Sequence, residues 1–292
     1  MNIGITGVTG FIGAQLALEA KARGHRVIGY SRNPQPRGDV DEMRRFTLDA
    51  PPDLTDIDAI VHLAGESILG IWTPAKKRRI RDTRVAGTER IVEAIETSNS
   101  PPRVFVCGSA IGIYGDTGEE EADEASPTGH GFLADVAREW EAAARGATRA
   151  RVVHLPTGFV IGSTGGAMRL IATVFRTGLG GRLGSGRQWM SPIHVADVAG
   201  IALHSIDSEA VSGPINAVGP EAVRNSEFTR AVAHAVHRPA VIPTPALALK
   251  VVLGQLSTLL LDSQRVRPTR ALETGYNFRH PTVQSAVSAA VG

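Results

Sequence analysis

Apolar positions alternate with small residues at the very start of the chain, where Ile3 and Ile5 mark a short strand. Three glycines, Gly7, Gly10 and Gly13, follow at three-residue spacing and lead into a helical run over 14–22. The pattern predicts strands again at Arg26–Tyr30, Ala59–Leu63, Arg103–Cys107 and Arg151–Leu155, the second of these counted as the fourth strand of a sheet. Helical spacing fills the intervals. One helix starts at Thr73–Pro74, a capping residue followed by proline, and runs to the apolar face Ile91, Val92 and Ile95. Another spans Phe132–Ala144. Beyond these come a short segment plus helix over Ile193–Leu203, a last strand at Pro214–Val218, and a helix capped by Asn225 or Ser226. An amphipathic helix over Pro245–Leu261 and a closing helix at Val283–Val291 complete the chain. Strands alternating with helices predict an α/β protein with a Rossmann-type, doubly wound parallel sheet and a smaller C-terminal lobe.

The division expected from this pattern is a cofactor-binding domain over 1–162, with a return at about 190–220. Segments 163–189 and 221–292 form the substrate lobe, including a C-terminal unit at about 245–292. With 292 residues, 42% hydrophobic and 21% charged, the chain can bury a large core. Its formal charge of +2 gives no global attraction for nucleic acid or an anionic membrane. Six basic residues lie between Lys76 and Arg84, but they spread around more than one helical face and read as a solvated surface. One cysteine, Cys107, excludes an intrachain disulfide and a cysteine metal cluster. His194 and Asp197 alone do not make a metal site. The stretch 245–261 carries Lys250, Gln255, Ser257 and Thr258 and does not read as a membrane span, and the start shows no signal-peptide pattern, so a cytoplasmic setting is the default expectation.

The glycine spacing carries the chemistry. A pyrophosphate reaches the free N–H groups at a helix N-terminus only where no Cβ intervenes, and the turn out of the strand often needs positive φ. Gly7, Gly10 and Gly13 fit those needs, with Thr9 as a hydroxyl donor and Phe11 and Ile12 packing the helix onto the sheet. A nucleoside-triphosphatase loop is excluded because no Gly-Lys-Ser/Thr follows. At the end of the second strand, where an NAD enzyme places an acid for the ribose hydroxyl, this chain has Ser31 and Arg32; a guanidinium suits a 2′-phosphate, so NADP is the expected cofactor. Leu63, Ala64, Gly65 and Glu66 lie at the end of a strand beside the expected ligand crevice. Ser109 lies at the end of the next strand, placed to hydrogen-bond a substrate oxygen, and Tyr114 follows it. The glycine-rich 178–186, ending in Arg187, Gln188 and Trp189, reads as a wall of the substrate cleft.

Taken together, these segments resemble the extended short-chain dehydrogenase/reductase superfamily. Within it, the resemblance is to the NAD-dependent epimerase/dehydratase-like group of unknown substrate with a distinctive C-terminal domain. The similarity rests on Gly7 to Gly13, Leu63 to Ile68, Trp72–Thr73, Arg84 to Thr88, Gly108–Ser109–Ala110 with Tyr114–Gly115, and Trp140–Glu141. Gly184 to Trp189, Ile193–His194 with Asp197, and the tail Ser263 to Val266 with Pro268 extend it over nearly the whole chain. The resemblance implies a proton-transferring tyrosine and lysine four residues apart, helped by a serine and an asparagine. Ser109 matches the serine, but Phe132 and Val136 stand at the tyrosine and lysine positions and Arg84 replaces the asparagine. Pro156 and Pro192 stand where the subgroup commonly has arginine and tryptophan. Two functions are therefore expected in competition. One is an NADP-dependent oxidoreductase or epimerase acting on a small hydroxylated or nucleotide-linked substrate, with Ser109 and Tyr114 or Glu66 in chemical roles, Arg84 near the cofactor, and Arg187 and Trp189 against the substrate. The other is a non-catalytic NADP(H)-binding sensor or docking protein.

Overall fold

The computed structural model describes residues 1–291; Gly292, the last residue of the expected C-terminal unit, lies outside the described residues. The chain runs β1 (Asn2–Thr6), α1 (Phe11–Ala22), β2 (Arg26–Ser31), β3 (Glu42–Arg45), β4 (Ala59–His62), α2 (Pro74–Thr97), β5 (Val104–Ala110), α3 (Phe132–Ala144) and β6 (Arg151–Thr157). It continues through β7 (Phe159–Ile161), α4 (Met168–Arg176), β8 (Trp189–Met190), β9 (Pro192–His194), α5 (Val195–Asp207), β10 (Gly213–Pro214), β11 (Val223–Arg224) and α6 (Asn225–Ala235). The tail adds α7 (Ala246–Leu253), α8 (Thr258–Leu261), α9 (Thr269–Glu273) and α10 (Val283–Val291).

Seven strands form one sheet in the order β10-β6-β5-β4-β1-β2-β3, every pair parallel. The order reverses between β1 and β4, so the crevice of this doubly wound sheet opens at their carboxyl ends, beside Gly7 and Leu63. Helices cover both faces, which is why the central strands are apolar on both sides. Ile3, Ile5, Val61 and Val106 pack under α1 and α5 with Leu16, Val198 and Ile201. Ile60 and Phe105 pack under α2 and α3 with Ile91, Ile95 and Trp140. A third core joins α4, α6 and α10 through Met168, Phe228, Val232 and Val287.

Four details depart from the hydrophobic pattern. The edge strand β3, with the sequence Glu-Met-Arg-Arg, has no apolar alternation and owes its place to pairing with β2. The expected strand at 214–218 pairs only at Gly213–Pro214, with Ala217 meeting Thr157 as an isolated bridge. Helix α6 is capped one residue early: the Arg224 N–H donates to Glu227 Oε2 at 2.8 Å, while Asn225 is helical and its Oδ1 accepts from Leu183 N–H at 2.9 Å. The expected helix over 245–261 is broken in two, because Gly254 adopts φ 54° and ends α7, and a single tight turn links it to α8. Among the described residues no helix is long and apolar enough to cross a membrane.

Candidate cofactor and substrate site

The turn from β1 to α1 is built by close approach. Gly7 has φ 69°, and a Cβ there would stand 2.9 Å from the Leu63 carbonyl oxygen and the Ala64 nitrogen. A Cβ on Gly13 would overlap the Gly7 carbonyl oxygen. Gly10 is the N-cap in extended conformation, with no side chain to cap the helix; its N–H donates to Gly7 O at 2.8 Å and its carbonyl accepts from Ala14 at 2.9 Å. The Phe11, Ile12 and Gly13 N–H groups therefore have no protein acceptor among the described residues and lie at the positive end of α1, where an anion is favoured. Ile12 packs on the sheet core as expected. Phe11 does not: its ring lies under the loop after β7, where a Cβ at Gly162, Gly165 or Gly166 would come within 2.6, 2.9 and 3.0 Å of it. Thr9 is exposed and makes no side-chain hydrogen bond within the described residues.

Thr6 locks the neighbouring loop. Its Oγ1 accepts from Leu63 and Ala64 N–H, each at 3.2 Å, so its own proton goes to His62 Nδ1 at 2.6 Å. His62 is fully buried with its Nε2 unpartnered among the described residues, and is pushed down to about 3 by desolvation, with Arg84 adding to the shift. At the end of β2, Ser31 Oγ is buried without a partner, and Arg32 is exposed and unpaired among the described residues. An orphaned hydroxyl, a free guanidinium and a cradle that a Cβ would fill meet the donor needs of a dinucleotide's phosphates and ribose.

Glu66, Arg84, Ser109 and Tyr114 each have protein partners. Glu66 pairs with Lys76 at 2.6 Å and lies 3.8 Å from Arg79; the Lys76 hydrogen bond, first among the causes, holds its carboxyl below the usual range. Arg84 donates to the Glu66 and Ile80 carbonyls at 2.9 and 3.1 Å and its guanidinium lies 5.2 Å from the Trp140 ring, so it braces the 64–66 loop from beneath. Burial pulls it down to about 10. Ser109 donates to Glu141 Oε1 at 2.6 Å, and both are buried. Desolvation pushes Glu141 up. The Tyr114 hydroxyl donates to Asn216 Oδ1 at 2.9 Å, and burial pushes the phenol up. Glu141 escaped the sequence reading because its partner is 32 residues away; only its place beside Trp140 marked it.

A cavity of about 230 Å³ opens at the start of α3. Trp72, Phe132 and Leu133 line it together with Gln255, Thr258 and Asp262 from the tail. Phe132 packs edge-on to Trp72 at 5.2 Å, with Lys77 Nζ 4.8 Å from its ring centre. Val136, one helical turn on, is buried in the protein. Neither Ser109 nor Tyr114 lines this cavity. Arg187 and Trp189 do not line it either. Trp189 is clasped between the Arg224 and Arg265 guanidiniums at 3.9 and 4.7 Å, and its Nε1 donates to Glu119 at 3.0 Å; Arg187 is exposed, its carbonyl accepting from Arg224. Among the described residues no three His, Cys, Asp or Glu side chains converge on a metal position. His194 instead caps α5, and Asp197 is buried in it.

Residues 3–219 match the model of the NAD dependent epimerase/dehydratase family, and residues 244–290 match a domain of unknown function, DUF1731. The human epimerase family protein SDR39U1 is 37% identical over 297 residues, covering 98% of each chain. The Arabidopsis thaliana SDR39U1 homolog, described as chloroplastic, is 34% identical over 301 residues, covering 99% of this chain and 86% of its own. The crystal structure of human SDR39U1 (isoform 2) with NADPH superposes with a TM-score of 0.92 at 34% identity, covering 100% of this chain and 99% of that one.

Proposed function

Because the chain belongs to the NAD dependent epimerase/dehydratase family, we propose that it is an NADP(H)-binding oxidoreductase or epimerase-like protein acting on a small hydroxylated or nucleotide-linked substrate. The observation that carries the cofactor is the end of β2, where a buried, unpartnered Ser31 hydroxyl and an unpaired Arg32 stand in place of a carboxylate. The relative crystallised with NADPH supports the same choice. Gly7, Gly10 and Gly13, with the free amides of Phe11 to Gly13, would hold the pyrophosphate. Ser31 and Arg32 would hold the 2′-phosphate, and the loop Leu63 to Glu66, braced by Arg84, would border the nicotinamide half. A bound nicotinamide supplies hydride transfer to or from a carbon. In this division residues 1–162 with a return at about 190–220 carry the cofactor, the remaining segments carry the substrate, and the setting is the cytoplasm.

A second reading, a non-catalytic NADP(H) sensor or docking protein, is favoured by a specific observation. Phe132 and Val136 have no proton to exchange, and the Ser109 and Tyr114 hydroxyls are spent on Glu141 and Asn216. Turnover of any substrate dependent on bound cofactor separates the two.

Calorimetric titration with NADPH and NADH, repeated on Arg32→Ala, tests the cofactor assignment. NADPH binds more tightly than NADH, and the variant loses about tenfold to a hundredfold of that preference, the worth of a charge-assisted hydrogen bond or two. Absence of binding by either nucleotide overturns both readings.

A further inference from the structure

Helix α7 turns apolar side chains to solvent. Its partly covered positions are Ala246, Leu249 and Leu253, and its outward arc is Leu247, Ala248, Val251 and Val252, where a surface helix ordinarily carries polar residues. Leu247, Val251 and Val252 are 73%, 77% and 72% exposed. Lys250, at the flank of the arc, is the one polar residue of the helix, and none of its residues is buried. A helix that is apolar on every side belongs under a cover.

The apolar surface continues beyond the helix. The segment leading into α7 runs alongside the glycine-rich loop: Ile242 and Thr244 N–H donate to the Gly180 and Arg182 carbonyls at 3.4 and 2.9 Å, and Gly184 N–H donates to Thr244 O at 2.8 Å. A Cβ on Gly184 would stand 3.4 Å from that of Ala246, the first residue of α7. Leu179, Val241 and Ile242, all exposed, therefore lie on segments adjoining the helix. Exposed apolar surface gathered in this way marks an interaction site.

The charge around it is of one sign. Residues 163–188 and 228–261, which supply α4, most of α6, the loop and α7, hold seven lysines and arginines and no aspartate or glutamate. The +2 of the whole chain is thus +7 in these two segments against −5 elsewhere. The small total hides a local attraction for anions. Arg182 sits on the paired loop, and Arg238, whose Nε donates to Arg176 O at 3.3 Å, stands just before Val241. Asp262 is the first acid after α8, and Lys250 acts on it from a distance.

We propose that this face seats the protein on an anionic phospholipid bilayer, with α7 lying in the plane of the interface, Leu247, Val251 and Val252 at the acyl boundary, and Arg182, Arg238 and Lys250 at the lipid phosphates. The same features disfavour other occupants. A second copy would bring identical cations against these, with no carboxylate in either segment to answer them. A protein partner needs a polar rim of donors and acceptors, and the outward arc of α7 offers only Lys250 at its edge. Among the described residues no helix is long and apolar enough to span, so the contact is with one leaflet.

Flotation of the full chain with vesicles tests the assignment. Phosphatidylcholine vesicles carrying about 40% phosphatidylglycerol should bind the protein about tenfold more tightly than phosphatidylcholine alone, and about 0.5 M salt should remove the difference. Leu247→Ser with Val251→Ser, and separately Arg238→Glu with Lys250→Glu, should each weaken binding to the anionic vesicles at least about tenfold. Val251→Leu and Lys250→Arg, which keep the apolar area and the charge, should retain it. Equal binding to both vesicles, insensitivity to salt, or retention by the serine variant overturns the proposal. A concentration-dependent dimer in light scattering that the serine variant abolishes, with the wild type left off the vesicles, overturns it in favour of a second copy. Nucleotide binding plays no part in the contact, so NADPH titration and flotation stand or fall separately.

Discussion

Ser109 and Glu141 share a short hydrogen bond of 2.6 Å between the end of β5 and the last turns of α3, and neither side chain reaches solvent to any useful extent. A carboxylate buried beside one neutral hydroxyl is poorly compensated, and desolvation raises its pKa above the ordinary value. The folded state therefore binds the proton more tightly than the unfolded chain does. Stability falls as pH rises from the ordinary carboxylate range through the raised one. Glu141→Gln keeps an acceptor for Ser109 and removes the charge. Urea unfolding between about pH 4 and about pH 9 should show the wild type losing stability relative to Glu141→Gln toward the alkaline end. Parallel curves would mean that Glu141 is ionised in both states.

His62 acts in the opposite direction. Its folded pKa of about 3 lies below the ordinary value of about 6.5, so the unfolded chain binds the extra proton first and stability falls as pH drops through that window. At about pH 5 the cost is about 2 kcal/mol, fully absent above neutrality. His154 and His194, each lowered to about 4 chiefly by burial, steepen the same limb. His62→Gln, which retains an acceptor for Thr6, should flatten the acid limb by about that amount in denaturant titrations, leaving the neutral plateau lower or unchanged.

The glycines of the first turn have separable duties. Gly13→Ala drives a methyl into the Gly7 carbonyl and should destabilise the fold by at least about 2 kcal/mol. Gly10 has φ −82° and ψ 171°, which alanine adopts freely, and its Cβ would meet only Gly7 O, at 3.1 Å. Gly10→Ala should therefore unfold near the wild-type denaturant midpoint yet bind NADPH at least about tenfold more weakly, because the methyl occupies the approach of the pyrophosphate. Unfolding curves paired with calorimetry decide it; an unchanged affinity would put the phosphates elsewhere.

That turn was legible in the sequence because everything it needs lies within a few residues: a strand, glycines at fixed spacing and a helix. The parallel sheet followed from apolar runs alternating with helical spacing. The partners of Ser109, Tyr114 and Asp197 were not legible, since Glu141, Asn216 and the segment around Tyr276 are brought to them only by the packing of separate elements. The partners of Trp189 were hidden for the same reason. A tryptophan after a glycine-rich loop reads as a cleft wall, but the arginines that clasp it, Arg224 and Arg265, lie 35 or more residues downstream. The break in the helix at Gly254 was written in the sequence, and the apolar spacing of Leu247, Val251 and Val252 concealed it; all three are exposed.

Asp197 ties the tail to the sheet. It is fully buried in α5 and accepts from the Tyr276 hydroxyl at 3.0 Å, Arg279 N–H at 2.7 Å and His280 N–H at 3.0 Å. Gly200, one turn later, lets the Tyr276 phenol lie directly on the helix, where any side chain would overlap it. Asp197→Ala leaves the Arg279 and His280 N–H groups without an acceptor and the Tyr276 hydroxyl with only the residue 197 carbonyl at 3.3 Å, and should cost about 3 kcal/mol. Asp197→Asn should cost less with Oδ1 preserved, but its amide then faces a backbone N–H, so donor meets donor. Limited proteolysis of Asp197→Ala should cut first near 276–280, ahead of any cut in the sheet, while NADPH affinity, set by α1 and β2, changes less than threefold. Global unfolding with simultaneous loss of NADPH binding would mean instead that the tail and the nucleotide half fold as one cooperative unit.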